Sequence, residues 1–240
     1  MEYLLNILMI NEKNIIIINQ IFLKLKNKKI FENLSLSFSS KGISVILGPN
    51  GSGKTILTKI ILGLQKIDKG FIKIVSKKNL KFGYTPQKTI LLRRNVFDNI
   101  AFPLIMDGHK KNEVLKKVNF YLESFDIDKF KTFSARNLSG GLGQFVSFVR
   151  SIVTEPDILI LDEPFSNLDS NLKNKIENYL IEHKTNRKII LVTHDLFQAQ
   201  RLADEIILMD SGSMVSKSIN KKLLNSKNSK IQGFLNRNYL

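Results

Sequence analysis

Gly48-Pro49-Asn50-Gly51-Ser52-Gly53-Lys54-Thr55 fits the pattern G-x-x-x-x-G-K-[ST] at every position. Glycines at the bends let backbone N–H groups turn inward around phosphate oxygens, where a Cβ would obstruct the turn. A helix opening directly after such a loop presents its N-terminus to the same anion. Lys54 is then expected to reach the β- and γ-phosphates of a nucleotide, and Thr55 to ligate Mg²⁺. Further along, Ile158-Leu159-Ile160-Leu161 ends in Asp162-Glu163. A solvated strand end accounts for one carboxylate. With a phosphate loop upstream, Asp162 is the expected support of Mg²⁺ from behind its direct ligands. Glu163, one residue further, is placed to orient and polarise an attacking water. Leu138-Ser139-Gly140-Gly141 puts Ser and two Gly at a helix start, a second and independent phosphate clamp.

These groups need elements to hold them. Ile43-Ser44-Val45-Ile46-Leu47 reads as a buried strand running straight into the phosphate loop, and Ile56, Lys59, Ile60 and Gly63 continue with helical character. Ile15–Ile18, Phe71–Val75 and Lys81–Thr85 read as further strands. Leu34-Ser35-Leu36-Ser37-Phe38 alternates as a half-buried antiparallel strand does. Strand signals stop from Lys88 to about Glu155, where Val114, Leu115, Val118, Tyr121, Leu122 and Phe125 share one helical face. They return at Ile158–Leu161, Ile189–Val192 and Ile206–Met209. An amphipathic helix lies between the first two of these, carrying Leu172, Ile176, Tyr179 and Leu180, with Asp169 or Ser170 as N-cap. His194 follows Ile189-Ile190-Leu191-Val192-Thr193 at a strand end, where open α/β sheets bind ligands, although a lone His is more often structural. Strands alternating with helices predict an α/β fold with a mainly parallel core sheet. An antiparallel β subdomain and a helical subdomain at about 88–155 complete one domain over 1–240, and 216–240 is a short basic tail.

Composition narrows the chemistry. The chain has 240 residues, 43% hydrophobic and 24% charged, a globular composition. The absence of Cys removes disulfides, thiol catalysis, iron–sulfur clusters and Cys-based zinc sites, and three His leave little for a His-rich metal cage. Against 21 Asp and Glu stand 37 Lys and Arg, a net charge of +16, which favours nucleotide phosphates, nucleic acid or an acidic membrane face as partners. A sequence heavy in Lys, Asn and Ile throughout gives the same sum without any functional patch. No apolar run reaches the roughly 18 residues of a membrane span. The apolar start, Met1 to Ile10, has no basic n-region or small-residue cleavage site and is not read as a signal peptide; Met9 is an alternative start.

Set between a phosphate loop and an Asp-Glu strand, Leu138-Ser139-Gly140-Gly141 resembles the signature of ATP-binding-cassette (ABC) ATPases. The resemblance runs from about Ile15 to Val215. It implies the ABC cassette of the P-loop NTPase class, with ATP and Mg²⁺ bound. It further implies that Gln87, in Gly83-Tyr84-Thr85-Pro86-Gln87, links Mg²⁺ and water to a partner subunit. Ser166-Asn167-Leu168-Asp169 is similar to the family's D-loop, and His194 to the histidine that contacts the γ-phosphate. Two copies are expected to pair head to tail, each phosphate loop closing over the other copy's Ser139, Gly140 and Gly141. Two positions depart from the family pattern. Gln usually follows Ser-Gly-Gly, whereas here stand Leu142, Gly143 and then Gln144. The aromatic residue expected to stack on adenine is replaced by Leu25, with Phe22 the nearest aromatic.

A single cassette without membrane spans, and without the long coiled-coil insertion or second cassette of soluble ABC ATPases, points to the energising subunit of a bacterial-type importer. The alternative is a soluble ABC ATPase acting on nucleic acid or ribosomes. A P-loop GTPase fits less well, since no N-K-x-D motif appears: Asn174-Lys175 is followed by Ile176-Glu177. Leu91-Leu92-Arg93-Arg94-Asn95-Val96, Asp98-Asn99-Ile100-Ala101 and the segment Thr193–Asp204 resemble oxyanion uptake systems of the tungstate type. Phosphate and polar amino-acid importers are the other readings, while the short tail argues against importer ATPases with a C-terminal regulatory domain. The expected partners are integral-membrane permease subunits and, through them, a solute-binding protein, with no nucleic acid. The expected location is the cytoplasmic face of the inner membrane, peripherally bound.

Overall fold

A computed structural model describes residues 14–219 and 228–239. The start-site alternatives Met1 and Met9, and the basic residues Lys221, Lys222 and Lys227, lie outside the described residues. The chain divides into two compact units, 1–80 with 184–240 and 81–183.

In the first unit, β1 (Asn14–Leu25) and β2 (Lys28–Ser39) form a long antiparallel hairpin, and β4 (Lys69–Ile74) pairs antiparallel with the other edge of β1. Lys26 and Asn27 close the hairpin with φ of 45° and 65°, the left-handed pair that a two-residue turn requires. Both strands exceed the short apolar runs that announce them, because polar outer-face residues such as Lys24, Lys29 and Glu32 interrupt the apolar signal without interrupting the pairing. The second sheet of this unit is built on β3 (Gly42–Leu47), with parallel neighbours β7 (Lys188–Thr193) and β8 (Glu205–Asp210). Ile43 to Leu47 and Ile189 to Val192 are fully buried, as continuous apolar runs covered on both faces must be. β9 (Ser213–Ile219) then returns antiparallel to β8. α1 (Lys54–Ile61) follows β3, and α6 (Leu196–Leu202) follows β7.

In the second unit, β5 (Phe82–Thr85) and β6 (Ile158–Asp162) pair in parallel. Between them come α2 (Val96–Met106), α3 (Lys111–Ser124) and α4 (Gly140–Ile152), with short 3₁₀ turns at Asp128–Phe130 and Ala135–Asn137. α5 (Ser170–His183) closes the unit. Asp169, not Ser170, caps α5: its carboxylate accepts from Leu172 N at 2.9 Å. The helices pack on a run of aromatic rings. Phe125 meets Phe145 edge-on at 5.4 Å, and Tyr179 meets Phe148 edge-on at 5.6 Å, the geometry favoured by ring quadrupoles.

Besides α6, two elements have no counterpart in the sequence reading. β9 is a weak pattern of Ser and Lys that pairing with β8 makes regular. In the basic tail, α7 (Ser229–Asn238) buries Phe234 and Leu235.

Candidate nucleotide site

In the first unit the phosphate loop leaves the end of β3 and enters α1. Gly48 admits no side chain, since a Cβ there would stand 2.2 Å from the Met209 carbonyl oxygen. Gly51 and Gly53 take φ of 80° and 100°, a region that costs an L residue dearly. Gly53 is also pressed by an aromatic ring, with Phe31 Cε1 2.8 Å from where its Cβ would lie. Gly53 caps α1 without a side chain, and the first turn has no acidic residue, so no carboxylate there would compete with an anion for the helix N–H groups. Pro49 accepts from Ser52 N at 3.3 Å and closes the loop around Asn50 and Gly51. Lys54 Nζ donates to the carbonyls of Gly48 at 2.7 Å and Pro49 at 2.9 Å, folded back over its own loop. Thr55 stands one residue into α1, its carbonyl accepting from Thr58 Oγ1 at 2.8 Å.

Polyphosphate fits this cradle. The Ser52 hydroxyl is buried and makes no hydrogen bond, a costly state that a phosphate oxygen would relieve. The ammonium of Lys54 already sits inside the turn.

His194 belongs to the same corner. Leu47 and Thr193 are register partners on parallel strands, so the phosphate loop and His194 leave the sheet side by side. His194 is exposed, and its neighbours fix it. Asp195 caps α6, accepting from Phe197 N at 2.8 Å and Gln198 N at 3.1 Å. Thr193 Oγ1 accepts from Asp195 N at 3.0 Å and bonds Gln198 Oε1 at 2.9 Å. An Asp directly before the apolar pattern of Leu196, Ala199 and Leu202 is a legible cap signal that sequence reading passed over.

The second unit holds the other candidates. Thr85 pairs with Leu161, so the segment carrying Gln87 and the pair Asp162-Glu163 leave adjacent parallel strands in the same direction. Asp162 is fully buried and Glu163 is 7% exposed, while Gln87 is exposed. Glu163 takes φ of 51°, uncommon for a residue with a Cβ, and this turns the chain sharply after the strand. Among the described residues no cluster of three or more His, Asp or Glu is arranged to hold a metal.

Ser139 caps α4, its Oγ accepting from Leu142 N at 3.3 Å, which leaves the hydroxyl proton free to donate. A Cβ on Gly140 would meet nothing within 4 Å, so open space lies above the turn. A Cβ on Gly141 would stand 2.5 Å from the Asn167 carbonyl, so the Ser166–Asp169 segment fixes that glycine. A cavity of about 540 Å³ beside this turn is lined by Gln87, Leu138, Ser139, Gly140, Gln144 and Asn167. Gln144 escaped the sequence reading as a functional residue. It is buried and faces the Gln87 segment, whereas Leu142, in the position usually held by Gln, is half-buried. Phe31 also went unnoticed as the aromatic against the phosphate loop. It is 1% exposed, so its ring face is closed to a base.

The ABC transporter family model matches residues 31–166. The tungstate uptake system ATP-binding protein of Peptoclostridium acidaminophilum is 36% identical over 186 residues, covering 74% of this chain and 86% of that one. The sulfate/thiosulfate import ATP-binding protein of Mesostigma viride is 34% identical, covering 82% of this chain and 60% of its own length. The molybdate/tungstate import ATP-binding protein of Pyrococcus horikoshii is 39% identical, covering 71% and 52%. A solved structure of the ATP-binding subunit of an ABC transporter shares the fold with a TM-score of 0.78 at 22% identity, over 88% of this chain and 92% of that one. Family model, relatives and fold agree: this chain belongs to the ABC transporter family, as an ATP-binding subunit that hydrolyses ATP.

Proposed function

We propose that this chain energises uptake of a tetrahedral oxyanion, tungstate foremost, through a partner membrane permease. What carries the reading is the company it keeps: the relatives described above are named for tungstate, molybdate/tungstate and sulfate/thiosulfate import. Import of phosphate or of a polar amino acid is the competing reading within the same chemistry. Among the described residues no helix is long and apolar enough to cross a membrane, so the solute pathway is assigned to the permease. A solute-binding protein delivers to that permease, nucleic acid has no part, and the chain works at the cytoplasmic face of the inner membrane.

In this reading the whole of 1–240 acts as one cassette, with 88–155 its helical subdomain and 216–240 a basic tail. Backbone N–H groups of Gly48 to Gly53 and the ammonium of Lys54 bind the phosphates, Thr55 and Gln87 hold Mg²⁺, and Asp162 supports it. Glu163 orients water for attack on the γ-phosphorus, and His194 stabilises the charge that develops on the transferring group. Ser139, Gly140 and Gly141 complete the site of a second copy in a head-to-tail dimer. ATP then supplies part of the interface, so binding closes the dimer and hydrolysis reopens it.

The test is the ATPase rate of the transporter assembled in liposomes with its binding protein. We expect stimulation by tungstate, and no response to tungstate from the purified chain alone. Stimulation by an amino acid and by no oxyanion would overturn the solute assignment while leaving the ATPase intact.

A further inference from the structure

Gln87 sits near the head of a ten-residue connection, Pro86 to Asn95, that joins β5 to α2 outside helix and strand. A free connection of that length would leave a terminal amide poorly placed, since unpinned backbone samples many conformations. This one is fastened along its length. Gln144 Nε2 donates to the Pro86 carbonyl at 3.5 Å, and Gln144 Oε1 accepts from Thr89 Oγ1. Arg150, two turns further along the same helix, donates from Nη2 to the Ile90 carbonyl at 2.6 Å. Asn99 on α2 accepts from Leu92 N at 2.7 Å and donates to the carbonyls of Leu92 and Asn95 at 3.2 and 2.9 Å. Of these anchors only Gln144 brackets Gln87, gripping one residue before it and another two residues after it. Gln144 is 3% exposed, and both ends of its amide are engaged.

We propose that Gln144 is a positioning residue that holds the Gln87 segment against α4, the helix whose first turn is Ser139-Gly140-Gly141. The inference rests on the assignment of Gln87 to the ATP site. Through this amide, displacement of the segment at one nucleotide is delivered to the turn that faces the other. Leu142 takes no part in the clamp, so departure from the family pattern at that position leaves it intact.

The experiment is steady-state Mg-ATP hydrolysis and nucleotide affinity for the full chain and for Gln144→Met, Gln87→Ala and the double variant. Met keeps the length and volume of the side chain and removes both hydrogen bonds. Expected for Gln144→Met is a fall in kcat of about tenfold with KM for ATP changed less than about twofold, the mark of an interaction realised in the transition state. Residues acting as one unit are non-additive, so the double variant should be no slower than Gln87→Ala alone. Thr89→Val, which removes the hydroxyl from the segment side, should reproduce the kcat loss and serves if Gln144→Met fails to fold. Unchanged kcat in Gln144→Met and Thr89→Val, or losses that multiply in the double variant, would overturn the proposal. Full activity of Gln87→Ala would instead overturn the assignment of Gln87 on which it rests.

Discussion

Lys188 and Ser44 meet at the buried beginning of β7 and β3, the ammonium donating to the hydroxyl at 2.5 Å, at the opposite end of the sheet from the phosphate loop. Lys188 Nζ also donates to Ser39 Oγ at 2.8 Å and to the Lys41 carbonyl at 3.3 Å, and its side chain is wholly buried. Ser44 in turn donates its hydroxyl hydrogen bond to Glu205, which pairs with Lys217 at 2.9 Å and lies 3.9 Å from Lys188. Burial lowers the Lys188 pKa from 10.5 to about 8; Lys217 pushes the same way, and Glu205 and Asp204 oppose it. Asp204 is itself engaged by Lys184 at 2.6 Å.

The sign of the consequence is fixed. A lysine with a lowered folded pKa binds its proton more tightly when unfolded, so its contribution to stability is present above about 10.5 and is lost as pH falls through about 8. The lowering corresponds to about 3 kcal/mol at full effect. Denaturant unfolding of the wild type and of Lys188→Met between pH 7 and pH 10 would show it. The difference should move in favour of the wild type as pH rises, because Met does not titrate. Parallel stability curves would contradict it.

Leu25 ends β1 at the hairpin turn, paired with Lys28 and half-buried. Phe22 is 37% exposed on the same strand, and Phe31 is buried against Gly53. The family resemblance puts adenine stacking at the Leu25 position, and with no aromatic residue there, base stacking worth about 1–3 kcal/mol is expected to be missing. ATP and GTP should therefore bind within about tenfold of each other, and Leu25→Tyr should tighten ATP by about fivefold, or about 1 kcal/mol. Titration with fluorescent nucleotide analogues measures both. Strong native preference for ATP would show that another side chain, Phe22 first, reads the base.

What could be read from the sequence follows from how local each signal is. Strand, loop and helix around Gly48 to Thr55 are contiguous, and Ile43 to Leu47 is apolar because it is buried on both faces, so periodicity exposed the whole unit. Asp162 and Glu163 likewise end a strand whose burial is written in Ile158 to Leu161. β9 and α7 were invisible because Ser, Lys and Asn dominate them, and only pairing with β8 or the burial of Phe234 and Leu235 makes them regular. Gln144 was missed for another reason. Its partners Pro86 and Thr89 lie more than fifty residues away, and a lone Gln among glycines and apolar residues does not name them. The Lys188 cluster is non-local in the same way, joining Ser39, Ser44, Glu205 and Lys217 through sheet pairing alone.

In the proposed mechanism Glu163, held at φ of 51° directly after the buried Asp162, orients the water that attacks ATP. Glu163→Gln keeps the shape of the side chain and removes its negative charge. Single-turnover Mg-ATP hydrolysis, with size-exclusion chromatography of the same sample, tests it most directly. Nucleotide affinity is expected within about threefold of the wild type, with turnover lowered at least about 100-fold and a dimer that persists with ATP unhydrolysed. Wild-type turnover in Glu163→Gln would contradict it.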